Sequence, residues 1–117
     1  MDIKGEDYHV WYEESDTKVS CQGSLRLAGT EEYAPIVHLL EKVIDKNPSK
    51  ITLDLRQLEF LNSSGINVLS KFVIKVRQNG TIQVLVQGSD RIPWQGKSLK
   101  NLQRLMPSLE LEWSSME

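Results

Sequence analysis

Two adjacent serines carry the chemistry that is easiest to read from this sequence. Ser63 and Ser64 follow an apolar, extended-looking segment at 51–55, a short connection expected at 56–59 and residues 60–62, and they precede an amphipathic run. A helix start presents unpaired N–H groups and the positive end of the helix dipole, so it accommodates a phosphate well. The pair is therefore a candidate phosphoacceptor site. The alternative is that Asn62, Ser63 and Ser64 only compete to cap the helix.

The helix that the serines open is predicted to reach Gln78, where Asn79 and Gly80 end it. At about 100° per residue, one wide arc collects its apolar side chains. Its members are Ile66, Leu69, Phe72, Val73 and Val76. Ile74 falls on the polar side instead, where it is either a partner contact or an ordinary exposed apolar residue.

Four segments show the period-two alternation of strands with one buried face. They are 19–27, 51–55, 82–86 and 109–113. Strands that are apolar on one side only, alternating with helices, predict helices stacked mainly on one face of the sheet, which argues against a doubly wound nucleotide fold. One buried layer is expected, with strand residues Val19, Leu25, Leu53, Val84 and Leu111 beneath helix residues Leu40, Leu69 and Val73.

The remaining elements complete a single α/β domain over residues 1–117. A hairpin of 10–12 and 18–27, joined by a polar turn, leads into βα units and a mixed sheet. A first helix is expected within 31–46, although Pro35 conflicts with a start at Thr30. A third helix is expected over 98–106 with Ser98 as its cap, and residues 1–7 and 114–117 are expected to be flexible tails.

The loop at 88–98 admits a second function. Gly96, Lys97 and Ser98 copy the end of a phosphate-binding loop, but Arg91 stands where that motif needs its first glycine. A small-ligand or nucleotide site is therefore the weaker reading. In the other reading Trp94 pins the loop to the domain or anchors an interface.

Composition excludes several classes. With 39% hydrophobic residues, 26% charged residues and a net charge of −2, the chain predicts a small globular protein without broad attraction to nucleic acid. No apolar run reaches membrane length and the first residues do not resemble a signal peptide, so a cytoplasmic protein is expected. Cys21 is expected to be a buried thiol, and His9 and His38 have no evident catalytic partners. We expect no metal, no cofactor and no enzymatic activity.

The segment 54–69 resembles the STAS family of anti-sigma-factor antagonists. The family signature is Asp-Ser-Ser/Thr-Gly-Leu-Gly, and its first hydroxyl residue is the phosphoacceptor. Ser63 matches that residue, with Ser64 and Gly65 at the next two positions. Ile66 stands at the Leu and Asn67 at the second Gly. Asn62 replaces the Asp, and this departure bears on kinase recognition.

The resemblance implies a bacterial transcription regulator that works by partner switching. Its partners would be an anti-sigma factor or related serine kinase and a phosphatase, and the protein would be a monomer or weak dimer. Phosphorylation of Ser63 would control binding through residues 62–67 together with Ile74. Two alternatives stay open: a nucleotide-sensing domain using Gly96, Lys97 and Ser98, and a constitutive interaction module in which Asn62 marks a lost switch. Because Asn and Asp cap helices about equally well, Asn62→Asp is expected to leave thermal stability nearly unchanged.

Overall fold

The computed structural model describes residues 1–115, which form one six-stranded sheet and three α-helices. The strands are β1 (Asp2–Lys4), β2 (Tyr8–Glu13), β3 (Lys18–Leu25), β4 (Lys50–Leu61), β5 (Gln83–Ser89) and β6 (Glu110–Ser114). The helices are α1 (Gly29–Asp45), α2 (Ser63–Asn79) and α3 (Gln95–Leu105). A short 3₁₀ turn, Glu14–Asp16, connects β2 to β3.

The strands lie side by side in chain order, β1-β2-β3-β4-β5-β6. The first three pair antiparallel, and β3 to β6 pair parallel. Each parallel pair is joined by one helix, and such crossovers are almost always right-handed. Because successive crossovers advance across the sheet in the same direction, all three helices lie on one face. The predicted α/β class and one-sided arrangement are confirmed.

The core lies between that face and the helices. Val19, Leu25, Leu53 and Val84 are buried as predicted, and so are Leu40, Leu69 and Val73 above them. Leu111, near the sheet edge, is partly buried and packs against the same core. The alternation of single strands was therefore sufficient to locate the hydrophobic layer.

Two strand predictions need correction. Residues 56–59 were expected to be a connection, but β4 continues through them to Leu61. The register against β3 shifts between Ser20 and Gln22 and again between Gly23 and Ser24, so the residues of β4 stop alternating regularly while the strand persists. Residues 2–4, placed in a flexible tail, form β1 and pair with β2. The predicted tail at 114–117 overlaps β6 at Ser114, and residues 116–117 lie outside the described part of the chain.

The helix starts also differ from the sequence prediction. α1 begins at Gly29 after the extended Ala28, whose N–H donates to Glu32 Oε1 at 2.8 Å. Pro35 lies inside α1, where it removes one intrahelical donor. α3 begins at Gln95, so Ser98 is an internal residue and not its cap. In residues 1–115, no helix is long and apolar enough to span a membrane.

Candidate functional site

The start of α2 lies where β4 ends, beside the connection from β3 to α1. Asn62 is extended, with φ −80° and ψ 177°, and its Oδ1 accepts a hydrogen bond from the Gly65 N–H at 2.9 Å. This is the N-cap bond that satisfies one of the free donors of the first turn. Asn62 is therefore the N-cap of α2, and neither Ser63 nor Ser64 is needed as a cap.

The remaining groups of Asn62 are bonded to the neighbouring segment. Its Nδ2 donates to the Leu27 carbonyl at 2.9 Å, and its backbone N–H donates to the Leu25 carbonyl at 3.1 Å. The hydroxyl of Tyr33 donates to Oδ1 at 2.7 Å. Burial raises the pKa of the Tyr33 phenol, which keeps that donor protonated. We name these contacts among Asn62, Tyr33, Leu25 and Leu27 the Asn62 clasp.

The Asn62 clasp argues against the expectation that Asn and Asp are interchangeable here. A carboxylate at position 62 would keep the two bonds that Oδ1 accepts, but it could not donate to the Leu27 carbonyl. Two oxygens would then face each other in a half-buried place, and an unsatisfied, partly buried acceptor is costly. The Asn62 amide nitrogen therefore has a structural role beyond helix capping. Capping strength alone, on which Asn and Asp are similar, does not include this role.

Ser63 and Ser64 differ in exposure. Ser63 is the first residue of α2 and is exposed, whereas Ser64 is half-buried between α1 and α2. Within residues 1–115 neither hydroxyl has a hydrogen-bond partner. The Ser63 hydroxyl is therefore open to an outside group, at a position where the helix dipole favours negative charge.

Gly65 is buried directly below the serines. A Cβ added to it would overlap the Leu61 side chain and stand 2.6 Å from the Tyr33 hydroxyl. The glycine matched to the family signature thus has a local reason: it lets α2 start against β4 without disturbing the Asn62 clasp.

An exposed stripe runs along α2 from Ser63. It contains Ser63, Asn67, Lys71 and Ile74, which share one side of the helix, and Ile74 lies about 16 Å along the axis from Ser63. Ile74 is 39% exposed. Ile66, another expected partner-binding residue, is half-buried and packs against the core. The structure therefore places Ser63, Asn67 and Ile74 on one accessible face and turns Ile66 away from it.

A groove separates α1 from α2 beside this stripe. Its cavity volume is about 390 Å³, and its walls include Ala34 and Val37 of α1 and Val68 and Phe72 of α2. Thr30 and Ser64 line one end, at the starts of the two helices. We call this feature the α1–α2 groove. Sequence reasoning missed it, because it depends on the spacing of two helices that each look complete alone.

The loop before α3 is held to the sheet by two side chains. The Trp94 indole donates to the Leu58 carbonyl at 3.1 Å. Gln95 is fully buried; its Nε2 donates to the carbonyls of Leu55 and Leu58 at 2.7 and 3.1 Å, and its Oε1 accepts from the Ser89 N–H at 2.8 Å. Of the two roles expected for Trp94, the structure shows the pinning one.

These contacts bear on the nucleotide alternative. Gly96, Lys97 and Ser98 lie within α3, and a Cβ added to Gly96 would meet nothing within 4 Å. The backbone there does not wrap into a phosphate cradle, whose form depends on an earlier glycine that this chain lacks. Gln95, which closes the gap between β4 and β5, had no signal in the sequence, because a glutamine at a helix start is usually solvated.

Other titratable groups lie away from the start of α2. Asp54 is on the sheet face opposite the helices, where Arg56 contacts it at 2.8 Å and Lys18 at 3.3 Å. Burial alone would raise the pKa of Asp54, but the hydrogen bonds and charge of Arg56, with Lys18, hold it below its usual value. Cys21 is buried as expected, and burial raises the pKa of its thiol to about 12, which disfavours the reactive thiolate. Residues 1–115 contain no cluster of three or more metal-ligating side chains.

Comparison with solved structures reveals the same fold elsewhere. The chain is similar to the SiaC protein of Pseudomonas aeruginosa, with a TM-score of 0.68, 14% identity and coverage of 99% of this chain and 96% of that one. Apo-SiaC gives a TM-score of 0.73 at 15% identity, covering 98% of each chain. A third match, with a TM-score of 0.73 at 15% identity over 97% of each chain, is in a structure of the diguanylate cyclase SiaD in complex with its activator SiaC, from the same organism. At sequence identities this low, the structural similarity establishes a shared fold and nothing more.

Sequence comparison identifies the family. Among curated proteins none matches this sequence significantly. The family model for the STAS domain matches residues 21–93, more than half of the chain, and includes β4, the Asn62 clasp and all of α2. The chain therefore belongs to the STAS domain family.

Proposed function

We propose that this protein is a regulator that binds a partner protein through the exposed stripe of α2 and is released when Ser63 is phosphorylated. The observation that carries the proposal is the exposed Ser63 hydroxyl, which has no hydrogen-bond partner within residues 1–115 while Asn62 caps the helix. The modification would thus cost the fold no internal hydrogen bond. The protein would be the substrate of a kinase and not itself an enzyme.

The charge of the stripe explains how a phosphate would act. Lys71 is the only charged residue among the four that define it, so the unmodified face is neutral to positive. Such a face suits an acidic or polar partner surface. Phosphorylation adds about two negative charges at the start of α2, which the helix dipole favours and an acidic partner surface opposes. Binding would be lost while the domain stays folded.

The proposed partner class is supported by the resemblance to anti-sigma-factor antagonists and by a structural neighbour. STAS anti-sigma-factor antagonists pair with an anti-sigma factor or serine kinase-like protein, and a phosphatase restores the unmodified state. We propose that arrangement here. SiaC, the similar structure, is an activator seen in complex with a diguanylate cyclase. An effector enzyme in place of an anti-sigma factor is therefore the variant of the proposal to test alongside it.

A second candidate is a constitutive interaction module that binds its partner without phosphorylation. It is favoured by the Asn62 amide, which donates to the Leu27 carbonyl and so fills the signature position with a structural contact. In this case the stripe would bind as proposed, but Ser63 would not be a kinase substrate.

The experiment that tests release from the stripe uses two substitutions at Ser63, and phosphosite mapping on the wild-type protein separates the two candidates. A partner captured with the wild-type protein as bait is titrated against Ser63→Asp and Ser63→Ala. Ser98→Asp, which adds the same charge on α3, is the control. The phospho-switch predicts weaker binding for Ser63→Asp only, by about tenfold or more, which corresponds to about 1.4 kcal/mol. Equal binding by Ser63→Asp and the wild type would contradict the switch.

A further inference from the structure

The α1–α2 groove has an apolar base that the chain leaves uncovered. Ala34 and Val37 on one wall and Val68 on the other are only half-buried, although neighbouring Phe72 and Leu40 belong to the core. The groove runs from the helix starts, at Thr30 and Ser64, toward Ile44 and Lys75. It thus begins next to Ser63 and continues along the side of the exposed stripe.

The charge on the α2 rim is not balanced. Lys71 and Lys75 are one helical turn apart on this rim. Lys75 is bonded across the groove to Glu41 at 3.3 Å. Lys71 is exposed and has no carboxylate within ion-pair distance in residues 1–115. The opposite rim also carries His38, which is exposed. A ligand that fits this groove would bring apolar side chains for its base and a carboxylate for Lys71.

The walls favour a helix as the occupant. Both are helices whose backbone groups are already bonded internally, so an extended peptide would find no strand edge to pair with. A helix satisfies its own backbone and offers an apolar ridge at spacings of three and four residues. The groove spans about 16 to 21 Å from the lengths of its walls, which matches about 11 to 14 residues of α-helix.

We propose that the α1–α2 groove binds one amphipathic helix of the partner protein, with its apolar ridge on Val37 and Val68 and a carboxylate on Lys71. The inference rests on the proposed function, because it names the element by which that partner docks. It also gives a reason why a phosphate on Ser63 would weaken binding along the whole stripe as far as Ile74. The added charge would lie at the end of a groove that receives an acidic helix.

The test uses a synthetic probe and the unphosphorylated full-length protein. The probe is a capped helical peptide of about fourteen residues, with leucines three and four residues apart and glutamates flanking them. Two matched peptides carry lysine for glutamate or serine for leucine. Titration into ¹⁵N-labelled protein should shift the amides of α1 and α2 that line the groove. Lys71→Glu should weaken the glutamate peptide about fivefold or more. Lys100→Glu, the same change on the exposed face of α3, should leave affinity unchanged.

Three results would overturn the inference: no binding of the glutamate peptide, equal binding of the leucine and serine peptides, or shifts that fall outside α1 and α2. Loss of affinity in both lysine variants would also count against it, because that pattern reports net charge and not the groove. The titration needs no kinase. Absence of Ser63 phosphorylation, together with groove binding that Lys71→Glu weakens, would therefore overturn the proposed switch and leave the groove assignment standing.

Discussion

The starts of α2 and α3 follow neighbouring parallel strands, yet they are built in opposite ways. At α2 the cap is Asn62, and the first helical residue, Ser63, is exposed with no bond to the rest of the chain in residues 1–115. At α3 the first helical residue, Gln95, is fully buried and bonds to β4 and β5 at both ends of its amide. Both helix starts carry the positive end of a helix dipole. At α2 the first helical residue presents an exposed hydroxyl, whereas at α3 the first helical residue is committed to the sheet.

This difference indicates a division of roles within one sheet. The α3 start closes the gap that opens where β5 stops pairing with β4 beyond Asp54 and Gln87. The α2 start is held from below by the Asn62 clasp and by the close packing at Gly65, and its outer residue Ser63 is exposed without an internal hydrogen bond in residues 1–115. Substitution of Gln95 should therefore cost stability, and substitution of Ser63 should affect binding alone.

The largest effect is expected from Gln95→Ala. It removes three hydrogen bonds, leaves the Leu55 carbonyl and the Ser89 N–H without their side-chain partner, and opens a cavity. We expect a loss of about 3 kcal/mol in the free energy of unfolding, measured by urea denaturation. Gln78→Ala, on the exposed side of α2, is the matched control and should change it by less than about 0.5 kcal/mol. Similar small values for both variants would show that Gln95 does not hold the sheet.

The next effect is expected from Gly65→Ala, because its Cβ would meet Leu61 and the Tyr33 hydroxyl. We expect a loss of about 2 kcal/mol from this overpacking. Gly96→Ala provides a control within α3, where nothing lies near the added methyl group. There the better helix propensity of alanine should raise stability by about 0.5 to 1 kcal/mol. Melting curves of the two variants should therefore move in opposite directions, and a shared direction would contradict the packing assigned to Gly65.

A smaller effect is expected from Asn62→Asp. The variant keeps the cap bond to Gly65 but loses the donor to the Leu27 carbonyl, so the free energy of unfolding should fall by about 1 to 2 kcal/mol at neutral pH. Asn67→Asp, exposed one turn further along α2, is the control and should be nearly neutral. If Asn62→Asp is as stable as the wild type, the Asn62 clasp has no energetic weight. A separate phosphorylation time course asks whether the restored carboxylate speeds modification of Ser63.

The smallest effect on stability is expected from Ser63→Ala. Its hydroxyl has no partner within residues 1–115 and Asn62 supplies the cap, so the change should stay within about 0.5 kcal/mol. Tyr33→Phe is the variant to compare with Ser63→Ala, because it removes a donor to the cap residue. Loss of the hydrogen bond to Asn62 Oδ1 should lower the free energy of unfolding by about 1 kcal/mol. A Ser63→Ala loss as large as that of Tyr33→Phe would mean that the serine is part of the cap.

The features that could be predicted from the sequence are those that depend on local periodicity. Alternation in the strands located the buried layer, and the arc from Leu69 to Val76 located the face of α2 that packs on it. The full length of β4 could not be predicted, because its register shifts break the alternation that marks a strand. β1 was missed as well, since three residues are too few to show a period.

The candidate site was predicted in part for a similar reason. A polar triplet before an amphipathic run is a local pattern, so the position of the α2 start was correctly read. In the Asn62 clasp, the side chain of Asn62 bonds to groups that lie 29 and 35 positions away in the sequence. The Gln95 side chain bonds to carbonyls that lie 37 and 40 positions away. No local pattern encodes such pairs. The role of the Asn62 amide therefore required the fold.

Regulation in this proposal depends on one group, the open Ser63 hydroxyl at the α2 start. The most direct measurement is phosphosite mapping by mass spectrometry, after incubation of the wild-type and Ser63→Ala proteins with ATP and a lysate of the source organism. Phosphate is expected on Ser63 in the wild type and is expected to be absent from that helix start in the variant. Equal labelling of both proteins, or phosphate on Ser98 in place of Ser63, would contradict it.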